Sequence, residues 1–296
     1  MEEILKLTDE LGVDIDVQNN EDISKIVKSC IGTKFAHKYG NLVVDLAIKA
    51  VKSVIRESGK NVEIDLKRYA KVEKIPGGLI DDYKVLDGVM FNKDVTHGQM
   101  RRKIKNPRIV LLDCPLEYKK GESMTNIEMM GEEDFKKALE SEEDEVRKMC
   151  EEILRVKPDV VITEKGVSDF CQHFLMKGNN VTMIRRIRKT DNNRLARACG
   201  ATIVHRPEEL QENDVGTLCD SFEVQKIGDD YFTFVTGSKQ AGACSIMLRG
   251  GSKDVLNEIE RNLQDAMQVA RSVILNPKLV PGGGALEMEL AHRLIE

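Results

Sequence analysis

Two long segments near opposite ends of the chain carry apolar residues at helical spacing. In residues 42–55 and 255–274 the apolar positions recur every three or four residues, which predicts two amphipathic helices. Ser252 is a suitable N-cap for the second helix, and Asn276 followed by Pro277 predicts its end. A shorter amphipathic helix is expected from Ile23 onward. Each apolar stripe needs a partner, and the two long helices provide one for each other.

The segment between these helices has a different pattern, in which short runs of β-branched and apolar residues dominate. After Pro158 the predicted order is strand, helix, strand, helix, strand, with strands near residues 160–162, 181–184 and 201–204. Such alternation predicts a parallel sheet with crossover helices. Later apolar runs, between residues 222 and 248, predict added strands. The predicted fold is therefore an α/β domain inserted into a discontinuous helical domain.

The composition is that of a globular protein with a heavily charged surface. The 296 residues are 41% hydrophobic and 32% charged, with a net charge of -5, no Trp and only 4% aromatic residues. This length predicts two or three compact units. The acidic balance argues against nucleic acid as a partner, and the scarcity of aromatic residues disfavours a platform for stacking sugars or bases.

The cysteines and the apolar runs indicate the cellular compartment in which the protein is expected. The seven cysteines are odd in number and form no CxxC pair, which disfavours a zinc site and a secreted disulfide framework. The first residues lack the apolar core of a signal peptide, and no stretch approaches the roughly 20 apolar residues of a membrane span. We therefore expect a cytoplasmic protein with no membrane partner. The five histidines are scattered, so we expect no metal site in this segment.

Two segments could serve a phosphate-bearing ligand. Gly282, Gly283 and Gly284 precede a predicted helix, where backbone N–H groups can approach a phosphate, although a triple glycine is more often a plain turn. Asp265 lies on a polar stripe of the 255–274 helix. Such a stripe is usually a solvated face, and the alternative is a carboxylate that orients an attacking water.

Three further segments allow more than one interpretation. The basic run at residues 185–189 indicates either a surface charge cluster or a nucleic-acid patch. Residues 131–154 predict a charged helix that either projects from the body or is simply solvated. Residues 167–175 carry an apolar stripe typical of a core helix, and the opposite face is polar. That polar face is a candidate binding surface.

Several strings, in order along nearly the whole chain, resemble group II chaperonins. Residues 71–78 (KVEKIPGG) are similar to the start of the apical domain of that family, as are residues 92–97 (NKDVTH) and 106–112 (NPRIVLL). The string LEYKKGES at residues 116–123 is similar to gamma-type members of the eukaryotic cytosolic branch. Further matching strings are RKTDNNR at 188–194, ARACGA at 196–201, NLQDAMQV at 262–269 and PGGG at 281–284.

The resemblance implies a chaperonin layout that agrees with the inserted domain expected from periodicity. Residues 1–20 resemble the tail of an equatorial domain and its hinge. Residues 21–67 and 246–281 resemble the two parts of an intermediate domain. Residues 68–245 resemble an apical, client-binding domain with a helical protrusion near 124–150, and residues 282–296 resemble the start of a second equatorial segment.

The resemblance also implies a nucleotide-dependent role for particular residues. Asp265 falls where the family places the carboxylate that activates the hydrolytic water. Gly282, Gly283 and Gly284 fall where family glycines approach the nucleotide, and Lys34 lies in what resembles a nucleotide-sensing loop. The implied cofactors of a complete subunit are ATP and Mg²⁺.

The implied partners are paralogous subunits in a double ring and unfolded client proteins such as actin and tubulin. The surfaces that resemble client-contacting parts of the family lie in the 167–177 helix and the 115–123 loop. The candidate client-binding residues there are Asp169, Gln172, His173, Lys177, Tyr118 and Lys119.

One departure from the family limits the expected activity. The Gly-Asp-Gly-Thr-Thr string that binds phosphate and magnesium in the family does not occur in the sequence. We therefore expect a partial chain that lacks most of the equatorial domain, binds no nucleotide tightly and does not hydrolyse ATP by itself. Two rival functions remain open: a small-molecule α/β enzyme, which the lack of a glycine fingerprint disfavours, and a nucleic-acid binder.

Overall fold

A computed structural model describes residues 2–34, 39, 41–58, 61–118, 132–240 and 242–295. The helices and strands fall into three groups. One is a helical body, which we call the lever. The second is a larger α/β block, and the third is a small unit made by the two chain ends. The described residues contain no helix that is long and apolar enough to cross a membrane.

The lever consists of three helices, α2 (Asn20–Ile31), α3 (Leu42–Val54) and α8 (Lys253–Leu275). Both α2 and α3 pack on α8, so the predicted pairing of the two long helices is found. The Ser252 side chain caps α8 by accepting a hydrogen bond of 3.3 Å from the Asp254 N–H, as predicted. The α8 side chains that are at most 1% exposed and form the apolar seam include Leu256, Ile259, Leu263, Ala266 and Ala270. Burial of such side chains stabilises the lever by roughly 1.5–3 kcal/mol for each large one.

A three-stranded sheet joins the lever to the block. Its strands are β4 (Ala70–Pro76), β5 (Lys84–Leu86) and β14 (Cys244–Gly250), in the order β4-β14-β5. The segments by which the chain enters and leaves the block therefore run side by side: β4 and β14 are parallel, from Ala70 opposite Cys244 to Pro76 opposite Gly250. Adjacent ends are what an inserted domain requires. β4 begins just after the predicted boundary near residue 68, and β14 contains the one near residue 245; both boundaries stay predictions.

Before β4, the chain forms a short hairpin and one helical turn. The hairpin consists of β2 (Arg56–Ser58) and β3 (Asn61–Glu63), and the helical turn is α4 (Leu66–Tyr69). The Asp65 side chain caps α4 by accepting a hydrogen bond of 3.1 Å from the Arg68 N–H. These elements lie at the joint between the lever and the block.

The centre of the block is a parallel sheet, which confirms the predicted α/β class. Its strands lie in the order β10-β9-β8-β11. They are β8 (Ile109–Leu112), β9 (Val160–Thr163), β10 (Thr182–Ile184) and β11 (Ile203–Val204). The helices that accompany them are α5 (Glu132–Arg155), α6 (Asp169–Asn179) and α7 (Lys189–Cys199). Every residue of β8 and β9 is buried, as expected for strands covered on both faces.

A second, antiparallel sheet completes the block. It has the order β6-β13-β12-β7, with β6 (Gly88–Phe91), β7 (Lys103–Lys105), β12 (Ser221–Ile227) and β13 (Asp230–Thr236). Gly88 is required where β6 meets β13, because a Cβ there would lie 2.1 Å from the Val235 carbonyl oxygen. The later apolar runs in the sequence are thus strands, as predicted.

The helix α5 is packed only along its second half. Its side chains become buried from Val146 onward, whereas Phe135 and Leu139 are 56% and 46% exposed. Of the predicted protrusion at residues 124–150, the part from Glu132 is this exposed helical segment, and residues 124–131 lie outside the described residues.

The two ends of the chain meet in a small unit. It consists of α1 (Glu2–Leu11), β1 (Val13–Asp14), β15 (Lys278–Leu279) and α9 (Ala285–Ile295). The strands β1 and β15 are antiparallel, and the Nζ of Lys278 lies 2.7 Å from the Asp9 carboxylate. This pairing holds the triple glycine, which follows β15, close to the start of the chain.

Candidate functional site

The structure brings together two residues that the sequence placed far apart. Lys34 follows the C-terminus of α2, and its backbone N–H donates a hydrogen bond of 3.0 Å to the carbonyl of Ile31. Its Nζ forms an ion pair with the Oδ2 of Asp265 on α8. The two residues are separated by 231 positions in sequence. The pair therefore links the two parts of the lever that flank the inserted block.

The electrostatics of this pair favour a charged lysine. The hydrogen bond to Asp265 raises the pKa of Lys34 above its ordinary value of 10.5. The side chains are 31% and 48% exposed, so water screens the pair and its contribution to stability is small. The pKa of Lys34 is higher in the folded chain than in the unfolded chain. The pair therefore stabilises the fold below pH 10.5, and this stabilisation is lost only as the pH rises through the pKa of Lys34 in the folded chain. The ion pair is thus formed at neutral pH, and Asp265 can exchange Lys34 for another partner at a small cost in free energy.

The rest of the polar stripe on α8 shows what sets Asp265 apart. Glu258 is paired within the helix, 3.2 Å from Arg261. Asp265 has its ion pair with another element instead. On the buried face beneath this stripe, Asn262 is 1% exposed, and its Nδ2 has no hydrogen-bond partner among the described residues. Asp265 is thus the carboxylate of this stripe whose ion pair depends on the position of α2 relative to α8.

The triple glycine has a geometry that suits a phosphate. Gly283 and Gly284 have φ angles of 71° and 83°, and a Cβ added at Gly282, Gly283 or Gly284 would meet nothing within 4 Å. The segment is exposed and leads directly into α9. Open glycines before a helix fit the backbone approach that a nucleotide phosphate requires.

The glycines follow the end of α8, and Asp265 lies within that helix. About 15 Å of helix separates Asp265 from the end of α8 at Leu275, since an α-helix rises about 1.5 Å per residue. Within the described ranges no group of three or more His, Cys, Asp and Glu residues could hold a metal ion. Asp265 and the triple glycine are therefore described as two separate candidate regions.

The second candidate region lies on α6. The helix begins at Asp169, after Ser168, whose Oγ accepts a hydrogen bond of 3.2 Å from the Cys171 N–H. Asp169, His173 and Lys177 are exposed, as the polar face predicts. The three side chains form one row along the outside of the helix.

Gln172 is a correction to the expected polar face. It is only 6% exposed, and its Nε2 donates hydrogen bonds of 3.3 Å to the Val167 carbonyl and to the Asp169 carboxylate. A buried amide must find such partners, and here the start of the helix supplies them. Gln172 therefore positions the helix start and is not part of the exposed surface.

Two aromatic residues of α6 were assigned to the core from the sequence and are only partly buried. The rings of Phe170 and Phe174 stack with their centroids 6.1 Å apart, and the guanidinium of Arg147 on α5 lies 5.8 Å from the Phe170 centroid. The apolar stripe contained five positions, but Val167, Cys171 and Leu175 already fill the core contact. Gln172 is on the buried face of the helix, and the aromatic pair packs at the edge of the core, where it is partly exposed.

The loop that follows β8 is hydrogen-bonded to the segment just before α6. Leu116 is fully buried; its N–H donates to the Gly166 carbonyl and its carbonyl accepts from the Ser168 N–H, both at 3.0 Å. Tyr118, a candidate from the sequence, follows and is 42% exposed. Lys119, the other candidate in this loop, lies outside the described residues.

The basic run and the sheet edge are the places where the two rival functions would lie. In the run, Ile187 is 4% exposed and fixes the backbone, while its four basic neighbours are exposed in the turn between β10 and α7. At the carboxyl ends of the strands, the polar groups bond to one another: Thr163 Oγ1 donates to the Cys114 carbonyl at 2.7 Å, and Asn192 Nδ2 to Glu164 Oε1 at 2.8 Å.

Cys114 offers a test of this packed edge. Burial raises the pKa of its thiol to about 11, so only about 0.1% is thiolate at pH 8. We expect its alkylation rate in the native chain to rise about tenfold per pH unit from pH 8 to 10, because the thiolate is the reactive form. Mass spectrometry after timed iodoacetamide pulses measures this rate. A plateau below pH 9 would contradict the assignment, and the guanidinium-unfolded chain provides the control.

Comparison with known proteins defines the class. All 296 residues match the TCP-1/cpn60 chaperonin family, to which the chain therefore belongs. The T-complex protein 1 subunit gamma of Oxytricha granulifera is 71% identical over 297 residues, which cover 100% of this chain and 53% of that relative. The subunit of the same name from Mus musculus is 58% identical, over 100% of this chain and 54% of the relative. The chain thus spans about half the length of these relatives, and the resemblance to gamma-type chaperonin subunits is confirmed.

A solved structure supports the same class. The open-state monomer of a group II chaperonin from Methanococcoides burtonii superimposes with a TM-score of 0.80 and 29% sequence identity. The match covers 99% of this chain and 66% of that one. A chaperonin fold of the group II kind is therefore established for the described α/β block and lever together.

Proposed function

We propose that this chain is the client-binding and lever portion of a subunit of an ATP-dependent cytosolic chaperonin, a ring that encloses and folds other proteins. The observation that carries the proposal is the ion pair between Lys34 and Asp265. It connects the two parts of a discontinuous lever, and the block that would contact clients is inserted between them. Membership of the chaperonin family supports the same conclusion.

In the proposed mechanism Asp265 serves the hydrolytic water. Its Oδ2 would accept a hydrogen bond from the water and orient it for attack, a task that suits a half-exposed carboxylate. Bound ATP with Mg²⁺ would supply the phosphoryl group in the complete subunit. Backbone N–H groups of Gly282, Gly283 and Gly284 would contact phosphate oxygens.

Lys34 has a sensing role in this proposal. Its Nζ holds the Asp265 carboxylate in this structure, and the chain superimposes on an open-state group II chaperonin monomer. Rotation of the lever would exchange this partner and free Asp265 to bind water. Because the pair is exposed and weak, the exchange needs little free energy. The rigid β4 and β14 pair would pass the rotation to the block.

The client-binding surface in this proposal is the exposed side of α6 together with the adjoining loop. It combines Phe170 and Phe174 with the exposed side chains of Asp169, His173, Lys177 and Tyr118. Unfolded clients, such as actin and tubulin, expose apolar segments that suit a mixed aromatic and polar surface. Paralogous subunits in a double ring would be the other partners, in the cytoplasm.

A client assay tests this surface directly. We expect the chain to suppress light scattering by denatured actin on dilution. The double substitution Phe170→Ala and Phe174→Ala should raise the chain concentration needed for half suppression by about tenfold, since buried aromatic anchors dominate binding. Leu79→Ala is the matched control, because Leu79 is a 71% exposed apolar residue outside this surface. Scattering that the unaltered chain leaves unchanged, or an equal loss in the control, would contradict the proposal.

A further inference from the structure

A basic cavity lies at the joint between the lever and the α/β block, apart from the Lys34–Asp265 pair. Its volume is about 740 Å³. Side chains from the hairpin strand β2, from α4 and from α7 contribute to its lining. The residues that matter here are Arg56, Lys67, Arg68, Tyr69, Arg194 and Arg197.

The cavity carries a concentrated positive charge in an acidic chain. Five of its lining side chains are Arg or Lys and none is Asp or Glu, whereas the whole chain has a net charge of -5. Two of the five are neutralised: Arg194 lies 2.6 Å from Asp191, and Arg68 lies 3.4 Å from Asp65. The other three basic side chains are those of Arg56, Lys67 and Arg197. Among the residues that the structure describes, none of these three has a carboxylate within ion-pair distance.

Arg197 is the cavity residue with unsatisfied hydrogen-bond donors. Its guanidinium lies over the ring of Tyr69, 3.8 Å from the centroid, which fixes its plane. Its Nε and one Nη are buried and, within the described part of the chain, have no hydrogen-bond partner. Buried charged donors without acceptors are costly, and a ring face does not accept two N–H groups at once.

We propose that this cavity binds a small polyanion that carries several phosphate groups. The Arg197 guanidinium lines the cavity and can donate charge-assisted hydrogen bonds to phosphate oxygens, and the exposed side chains of Arg56 and Lys67 reach the same space. Thr190 and Asn193 of α7 add neutral hydrogen-bond donors. The cavity volume falls within the range of about 300–1,000 Å³ that is typical of small-molecule sites. An extended acidic peptide would need a longer groove.

Such a ligand would also act on the joint itself. Arg56 and Lys67 precede the inserted block, whereas Arg197 lies within it. A polyanion held by all three would cross-link β2 and α4, at the joint, to α7 and reduce movement between them. Binding would therefore stiffen the joint through which the lever moves the block, independently of the nucleotide.

Calorimetric titration of the 296-residue chain with inorganic tripolyphosphate at low salt tests the site. We expect saturable 1:1 binding that weakens by about tenfold or more in Arg197→Gln, because charge-assisted hydrogen bonds are lost. The double substitution Arg56→Gln and Lys67→Gln should give a similar loss. Lys136→Gln is the matched control: it removes one charge from an exposed position on α5 and should change the affinity by less than about twofold.

Three outcomes would overturn the proposal. The first is no binding of tripolyphosphate, and the second is equal weakening in Lys136→Gln, which would indicate a diffuse charge effect. The third is preferential binding of a glutamate oligomer, which would assign the cavity to an acidic protein segment. If circular dichroism shows that Arg197→Gln fails to fold, the exposed Arg56 and Lys67 pair decides the question alone.

Discussion

Replacing Asp265 by Asn in a complete subunit, purified without its paralogues, is expected to lower ATP hydrolysis by about 100-fold or more, the usual effect of removing a general base. The amide keeps the shape of the side chain and loses the negative charge that would orient and polarise water. The loss should appear in the rate of phosphate release at saturating ATP. Nucleotide affinity should stay within about twofold, because Asp265 acts on water and does not hold the phosphates.

Matched substitutions distinguish this role from a general effect of charge on α8. Glu258→Gln removes a carboxylate from the same stripe, one that is already paired with Arg261, and should leave hydrolysis nearly unchanged. Lys34→Met should retain hydrolysis but weaken its coupling to lever movement. The 296-residue chain by itself is expected to show no turnover. Turnover by this chain that Asp265→Asn abolishes would show that the described residues suffice, against the proposal.

The elements of the lever and the central sheet could be predicted because their signals are local. The periodicity over residues 255–274 and the Ser252 cap define α8 within one or two residues at each end. In the block, the continuous apolar runs of β8 and β9 reflect burial on both faces, and the helices between them force parallel pairing. These inferences need no knowledge of distant contacts.

Contacts between distant segments could not be predicted from periodicity. The strand β4 is only partly buried, and its buried and exposed residues do not alternate regularly. Its sequence therefore does not indicate that β14 is its neighbour. The ion pair of Lys34 with Asp265 depends on how α2 packs on α8. On α6 a stripe of five apolar residues predicted the buried face, but burial of the Gln172 amide shifted that face. One buried polar residue with local partners outweighed the apolar pattern.

A buried ionic cluster around Asp191 lies at the joint between the lever and the block. Replacing Asp191 by Ala is expected to lower the free energy of unfolding by about 3–5 kcal/mol, the usual cost of breaking a buried ion pair. The Asp191 side chain is 4% exposed. It lies 3.0 Å from Lys71 on β4 and 2.6 Å from Arg194 on α7. Burial lowers the pKa of Arg194, against the opposing effect of Asp191, so the cation depends on this carboxylate. Without it, two cations stay at the joint: Lys71 keeps its ion pair with Glu73, whereas Arg194 loses its ion pair.

Urea unfolding followed by circular dichroism measures this loss, since the chain contains no Trp for fluorescence. The control is Asp144→Ala, which breaks a 3.0 Å pair with Arg147 between side chains that are 57% and 46% exposed. That surface pair should contribute less than about 0.5 kcal/mol, because water screens it and its side chains lose entropy. Equal losses in the two variants would show that the cluster does not hold the joint. A larger loss in Asp191→Ala would instead show that the charge cluster holds β4 against α7.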